Sequence, residues 1–421
     1  MIPRKNLLAQ VFCSAPARQY YSLRNPPQPV NLKIDRVRFT ATIEEVARVK
    51  QPNIAPNPSS LLRRYLLDSL APPPGTPPYL SPSLDELGNL FIPLPCTRPS
   101  LPTILLGASS TLPTLSALEI ARTLLKHPLH HPLTLALWTN SSARPNLGSA
   151  TWAGELSVKK AWKMKERSGK TVEAVLEEGA WRGERPCSLR AGPWMGAYFQ
   201  MVAIASSNPS QVFHENFGGL EVASGVEAFG YVEVTFKRVE HQDKVYYALN
   251  PEWRHEVISR MIAGAKSVAE EFGARITKEK IGEDGFMIGL WHPRVVEDIW
   301  DAIKSEWRRT DVDWVKIQSA RMIMNEPPVL FGGDVQEVLM EETASMMGVL
   351  DWEGFKTLET VLSVPTDAAA PAKHGIPTGV LVVGGREEDW SNAAQTMLNA
   401  ILEWDRRHSA IERIPERSFL E

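Results

Sequence analysis

Few residues in this chain are spaced for metal or nucleophilic chemistry. A zinc site needs imidazoles, thiolates or carboxylates converging at about 2 Å. The histidines include one cluster, His127, His130 and His131, which follows a helical stretch in a loop bounded by Pro128 and Pro132 and reads as surface chain. Glu387, Glu388 and Asp389 suit a solvated turn or a helix start, where carboxylates meet the positive end of the dipole. The three cysteines, Cys13, Cys96 and Cys187, are far apart and odd in number, which argues against a disulfide framework or a cysteine zinc site. Buried, inert thiols in a reducing compartment fit them best. There is no nucleophile elbow, P-loop or dinucleotide fingerprint.

The elements that would position a site are clearer. Thr103 to Gly107 is a short apolar run suited to a buried strand, residues 112 to 125 have helical spacing, and Leu133 to Asn140 begins as a second buried strand. Strand, helix and strand at this spacing predict a βαβ unit in a parallel sheet. The middle of the chain changes character. Gly230 to Arg238 alternates, with Val232, Val234 and Phe236 on one face and Tyr231, Glu233 and Thr235 on the other, as in a half-exposed antiparallel strand. A helix follows, with Asn250 as N-cap, Pro251 in the first turn and Gly273 closing it. Residues 285 to 290 read as a strand and 294 to 307 as a second helix. The last part returns to α/β style, with a buried strand at Val380 to Val383 and an amphipathic helix over 389 to 406.

These segments predict an α/β fold: a large domain with a mixed, mostly parallel sheet flanked by helices, and a small inserted α+β lid. The expected division is a basic leader at 1–34, the large domain at 35–210 and 311–421, and the lid at 211–310. With 421 residues and 43% hydrophobic content the chain can bury a sizeable core. A net charge of -3 gives no basic field for nucleic acid, and no apolar run approaches the roughly 20 residues that span a bilayer. The first 34 residues contain Arg4, Lys5, Arg18, Arg24 and Lys33 and no acid before Asp35. That is the composition of a mitochondrial transit peptide or of a basic extension with no address, so a mitochondrial or a cytoplasmic location is expected.

Six motifs in order resemble the dizinc aminoacylase and carboxypeptidase family, in the branch of N-carbamoyl-L-amino-acid hydrolases, β-ureidopropionase and allantoate amidohydrolase. Asp85-Glu86-Leu87-Gly88-Asn89-Leu90 resembles a D-x-x-G-N-L turn, and Trp138-Thr139-Asn140 the W-T-N that precedes a glutamate pair. Gly148-Ser149 with Ala153-Gly154-Glu155-Leu156 resembles the segment after that pair, and Ala197-Tyr198-Phe199 the start of an A-Y-F-E-L-H-I-E-Q-G strand. His292-Pro293 resembles the end of D-I-R-H-P. Asp367-Ala368-Ala369, then Ile376-Pro377-Thr378-Gly379, resembles H-D-A followed by P-T-G.

The resemblance implies two zinc ions, yet the sequence departs at each ligand motif. Gly107-Ala108-Ser109-Ser110-Thr111 stands where G-S-H-L-D belongs, and the stretch with the bridging aspartate is missing before Leu112. Ser141-Ser142 replaces the glutamate pair, Val202 falls at the strand histidine, and Gly384 to Trp390 replaces the loop of the last histidine. No metal and no cofactor is therefore expected. Trp291 replaces the arginine that holds the substrate carboxylate, so the ligand should be more aromatic or less acidic than an N-carbamoyl amino acid.

Ser141, Ser142, Asp367 and His241 are the candidates for catalysis, and Ser109, Trp291, Lys373 and His374 for ligand contacts. His241 lies near the family's lid histidine but lacks its H-A-G-T-T-P surroundings. Three functions stay open: a metal-free site that binds or transforms a neutral or aromatic metabolite, a non-catalytic binding or regulatory protein, and residual amidohydrolase activity. A homodimer through the lid is expected, on the surface of the strand 230–238 and the helix 251–272.

Overall fold

The computed structural model describes residues 31–49, 58–71, 81–139, 143–166, 168–203, 219–236, 238–241, 244–247, 251–281, 285–292, 296–309, 317–349, 358–362, 365–384 and 386–409. Chain contacts divide the protein into two units, Met1–Asn31 and Leu32–Glu421, and every described strand and helix lies in the second. The leader up to residue 30, Ser141, Ser142 and the expected N-cap Asn250 lie outside the described residues.

Among the described residues, nine strands form one mixed sheet. Its order is Ser83–Leu84, Leu90–Leu94, Leu133–Leu137, Thr103–Ala108, Met195–Ala203, Thr378–Val383, Leu220–Val226 and Val329–Leu330, with Glu359–Leu362 also paired to Leu220–Val226. The central block from Leu133–Leu137 to Thr378–Val383 is parallel, as the βαβ reading predicts. Antiparallel pairs flank it on both sides, which makes the sheet mixed, as expected.

Side chains alternate across this sheet with the two-residue period of a strand. Leu106, Phe199, Leu381 and Val383 join a core with Leu118, Trp390 and Met397 of the helices Thr111–Leu124 and Glu387–Ser409. Leu105, Tyr198, Val380 and Val382 face the other way and pack with Trp138, Trp152 and Phe331. This second face carries the candidate site.

A separate antiparallel sheet has the order Arg275–Ile281, Gly285–His292, Ala228–Phe236 and Ile317–Glu326. Val232, Val234 and Phe236 are buried in its own core, with Ile258 and Met261 from the helix Pro251–Glu271 and Trp300 and Trp307 from Glu297–Arg309. Gly273 follows the first of these helices at φ +66°, a conformation suited to glycine. The strand expected on the dimer surface is interior here, since it pairs on both sides. Alternation reports one buried face, and an interior strand of a one-sided sheet shows it as well as an edge strand does. The chain leaves the large sheet after Val226 and returns after Glu326, both later than the expected 211 and 310. The crossings run side by side, because Phe229 pairs with Glu326 in one sheet and Val226 with Val329 in the other. Among the described residues no helix is long and apolar enough to cross a membrane.

In the histidine cluster His127 and His130 are exposed, as surface chain would be, but His131 is not. His131 is only 1% exposed, and its ring and backbone nitrogens lie 2.7 and 2.8 Å from Asp405 Oδ1. Burial pushes the Asp405 carboxyl up, and the hydrogen bonds from His131 and His130 more than reverse this, leaving it below its ordinary value. The same helix carries His408. Its Nε2 lies 2.5 Å from Asp334 Oδ2, and its ring stacks on Trp404 at 4.1 Å. Burial lowers the affinity of His408 for a proton, but the bonds to Asp334 and the Trp404 carbonyl dominate and raise it. A raised folded value means that this stabilisation is complete below the unfolded histidine value of about 6.5 and fades as pH rises through the folded one. The stability gap between the wild type and His408→Gln should therefore narrow between pH 6 and pH 9 in urea titrations; a pH-independent gap would refute the pairing.

Candidate functional site

The floor of the site is a hydrogen-bonded cluster on the second face of the large sheet. Asp367, just before the short helix Ala369–Lys373, is 3% exposed and accepts from Ser149 Oγ at 2.6 Å. Ser109, at the end of the strand Thr103–Ala108, also donates to this carboxylate. Burial pushes the Asp367 carboxyl up and the two hydroxyls oppose the shift without cancelling it. Beside it, Thr366 Oγ1 donates to Gln200 Oε1 at 3.0 Å and Tyr198 Oη to the same oxygen at 3.2 Å. Trp138 Nε1 completes the chain by donating to Tyr198 Oη at 2.9 Å. Burial and the nearby Asp367 hold the Tyr198 phenol well above its ordinary value, so it stays a donor. Gly107 is required under this chain, because a Cβ there would lie 2.0 Å from Tyr198 Oη.

A buried turn aligns the neighbouring segments. Asp85 accepts from the backbone of Leu87 at 2.9 Å, and from the backbone and side-chain nitrogens of Asn89 at 2.8 Å each. Asn89 then reaches across to accept from the Thr139 nitrogen at 2.9 Å and to donate to the Gly148 carbonyl at 3.2 Å. Arg63 donates to the Gly88 carbonyl at 2.6 Å and to Thr139 Oγ1 at 3.2 Å. Burial pulls its guanidinium down to about 10, with Asp85 opposing the fall. Burial, then Asp85, pushes the Cys187 thiol up, so it is inert as expected.

The mouth of the site is charged. A cavity of about 20 Å³, room for about one water, lies between the two sheets and is lined by Arg144, Ser149, Glu155, Phe229, Glu326 and Lys373 among others. Arg144 pairs with Glu326, and Lys373 Nζ bridges Glu326 at 2.9 Å and Glu155 at 3.1 Å. Glu326 ends the last strand of the inserted sheet, whereas the other three belong to the large domain. These ion pairs tie the insert to the large domain directly over the floor cluster.

No protein-family model matches the sequence, and no curated protein matches it. Solved structures do. A hydantoinase/carbamoylase family amidase from Burkholderia ambifaria is 19% identical with a TM-score of 0.59, over 89% of this chain and 97% of that one. One from Burkholderia vietnamiensis is 16% identical with a TM-score of 0.65, over 88% and 97%. AtUAH, solved in complex with glyoxylate, is 14% identical with a TM-score of 0.65, over 89% and 99%. The chain has the hydantoinase/carbamoylase amidase fold.

Within this amidase fold the structure brings some expected residues together and separates others. Ser109 and Asp367 meet at the floor, and Lys373 stands at the mouth. Trp291 is 5% exposed with its ring stacked on Phe229 at 4.9 Å, so Phe229 rather than Trp291 lines the cavity. The expectation of a tryptophan stacking face changes accordingly. His374 sits in an exposed turn after the helix Ala369–Lys373 and is not among the lining residues. His241 lies in a two-stranded sheet, paired with Lys244, apart from both larger sheets. The mouth carries two cations and two carboxylates where a site for a neutral or aromatic metabolite was expected. Sequence reasoning missed Arg144, Ser149, Glu155 and Glu326 as site residues. Ser149 and Glu155 sit inside family-like motifs, but nothing local marks Arg144 or Glu326.

Among the described residues, the donors around Asp367 do not suit a dizinc centre. Among the described residues no three His, Cys, Asp or Glu side chains converge as metal ligands. Around Asp367 the polar atoms are serine hydroxyls, and next to them lie a threonine hydroxyl, a phenol and a primary amide. Zinc sites draw on imidazole, thiolate and carboxylate, so this neutral-oxygen set does not fit one.

Proposed function

We propose that this chain is an amidase-fold protein that works without a dizinc centre and keeps its cleft as a site that binds or transforms a small metabolite. The observation that carries the reading is the floor cluster, in which hydroxyls of Ser109 and Ser149 satisfy the buried Asp367 carboxylate. A site built this way recognises its ligand by hydrogen bonds and charge and has no metal-activated water with which to cleave a carbamoyl group. Ser149 lines the cavity, so the Ser149–Asp367 pair is what a ligand reaches once past the charged mouth. Burial keeps that carboxyl closer to neutrality than an ordinary aspartate, which suits it to exchange a proton through the serine hydroxyl. The inserted sheet acts as the lid of the fold and as the surface for a homodimer, which its outer strands Arg275–Ile281 and Ile317–Glu326 leave free to extend.

A non-catalytic binding or regulatory role is the second reading, favoured by a cavity of about 20 Å³ that admits no metabolite while the ion pairs are made. Elemental analysis of the purified protein should give well under one zinc per chain. Chelators should leave its melting temperature unchanged, and added zinc should not bring on hydrolysis of N-carbamoyl amino acids. Stoichiometric bound zinc, or zinc-dependent turnover of such a substrate, would overturn the metal-free reading.

A further inference from the structure

The geometry points to Arg144 and Lys373 as a binding site for the carboxylate of a small acidic ligand, a place that Glu326 fills as an internal stand-in. This rests on the metal-free reading of the cleft and names the ligand class for it. The guanidinium of Arg144 offers two parallel donors on one edge, a fork that matches both oxygens of a carboxylate. Glu326 uses only part of it. Its Oε1 takes the Arg144 Nη2 donor, while its Oε2 is drawn to Lys373 Nζ at 2.9 Å. Arg144 Nε is buried with no hydrogen-bond partner among the described residues. A native site rarely leaves a buried donor without a partner unless it has a use for it. The unmade bond belongs to a residue that lines the cavity over Ser149 and Asp367.

A free carboxylate is not tethered to a strand end and can take Nε and Nη2 together, with Lys373 beside it. Glu326 is then released, and with it the contact that closes the insert over the large domain. Lys373 keeps its bond to Glu155 at 3.1 Å, so the cation stays in place through the exchange. The rest of the ligand would lie toward Ser149 and Phe229, which line the same space. The site therefore takes a carboxylate again, through different residues from the lid arginine that Trp291 replaces in the sequence.

The test uses the full chain and a matched pair of probes, N-benzoylglycine and its neutral amide, followed by titration calorimetry. Glu326→Gln removes the competing charge while keeping size and hydrogen bonding, and should tighten the acid on the order of tenfold by freeing the competent state, with little change for the amide. Arg144→Met in the Glu326→Gln background should abolish the gain. A thermal melt of each variant verifies folding, and Glu326→Ala, which also removes the charge, serves as the second variant if Glu326→Gln is unstable. It should tighten the acid over the amide in the same direction. Equal tightening for acid and amide, or for inorganic phosphate as much as for the acid, overturns the carboxylate site and leaves the metal-free small-molecule site standing. No binding of any probe by folded Glu326→Gln overturns the carboxylate site; stoichiometric zinc in the same preparation would instead sink the metal-free reading beneath it.

Discussion

Asp85→Ala should lower the unfolding free energy by about 3–5 kcal/mol, the range for removing one partner from a buried charged network. Three nitrogen donors, from Leu87 and Asn89, lose their acceptor in one step. Each buried donor left without a partner costs about 1–3 kcal/mol. Arg63, pulled down to about 10 by burial, also loses the one charge that opposes its neutralisation. The effect should reach the site, because Asn89 is the clamp between Thr139 and Gly148, and Ser149 follows directly. Asp85→Asn, which keeps one acceptor, should fall between the wild type and the alanine variant. Urea titration measures both; a loss under about 1 kcal/mol for Asp85→Ala would mean that the turn does not depend on its carboxylate.

Trp307→Ala should cost about 3–5 kcal/mol, the usual range for a buried tryptophan, but the loss should stay within the insert. Trp307 is fully buried, donates from Nε1 to the Met261 carbonyl at 2.7 Å, and packs edge-on against Trp300 and Phe286. Its core is separate from the two that flank the large sheet. Hydrogen exchange should therefore show lost protection in Ala228–Phe236 and Gly285–His292 and retained protection in Thr103–Ala108. Equal losses in both sheets would show that the insert and the large domain unfold as one unit.

Elements set by local pattern are legible in the sequence. The continuous apolar run at 103–107 is a central strand, and the helices expected at 112–125 and 389–406 are observed as Thr111–Leu124 and Glu387–Ser409. The turn from Asp85 to Asn89 is legible because an aspartate and a glycine at that spacing bond their own backbone, and Gly88 does adopt φ +79°. The order of motifs singles out Asp367 and Ser109, which lie in hydrogen-bond contact. Charge pairs between distant segments are not legible. Arg144 and Glu326 are 182 residues apart, and Lys373 and Glu155 are 218 apart, separations at which spacing says nothing about contact. The burial of His131 escapes a sequence reading for the same reason, since its partner Asp405 comes 274 residues later. Trp291 is legible as an aromatic at the lid, but its partner Phe229 lies across a strand pair whose register the sequence does not print.

The side-by-side crossings place Glu326 at a fulcrum. The strand that it ends, Ile317–Glu326, runs the length of the inserted sheet, about 30 Å at 3.3 Å per residue. Any rotation of the insert about that hinge moves the far end of the strand through an arc set by this whole length, while the carboxylate at the near end shifts by little more than its own reach. The ion pairs at the mouth thus hold the short arm of a lever, where exchanging one carboxylate for another is a small local event with its largest displacement at the opposite tip.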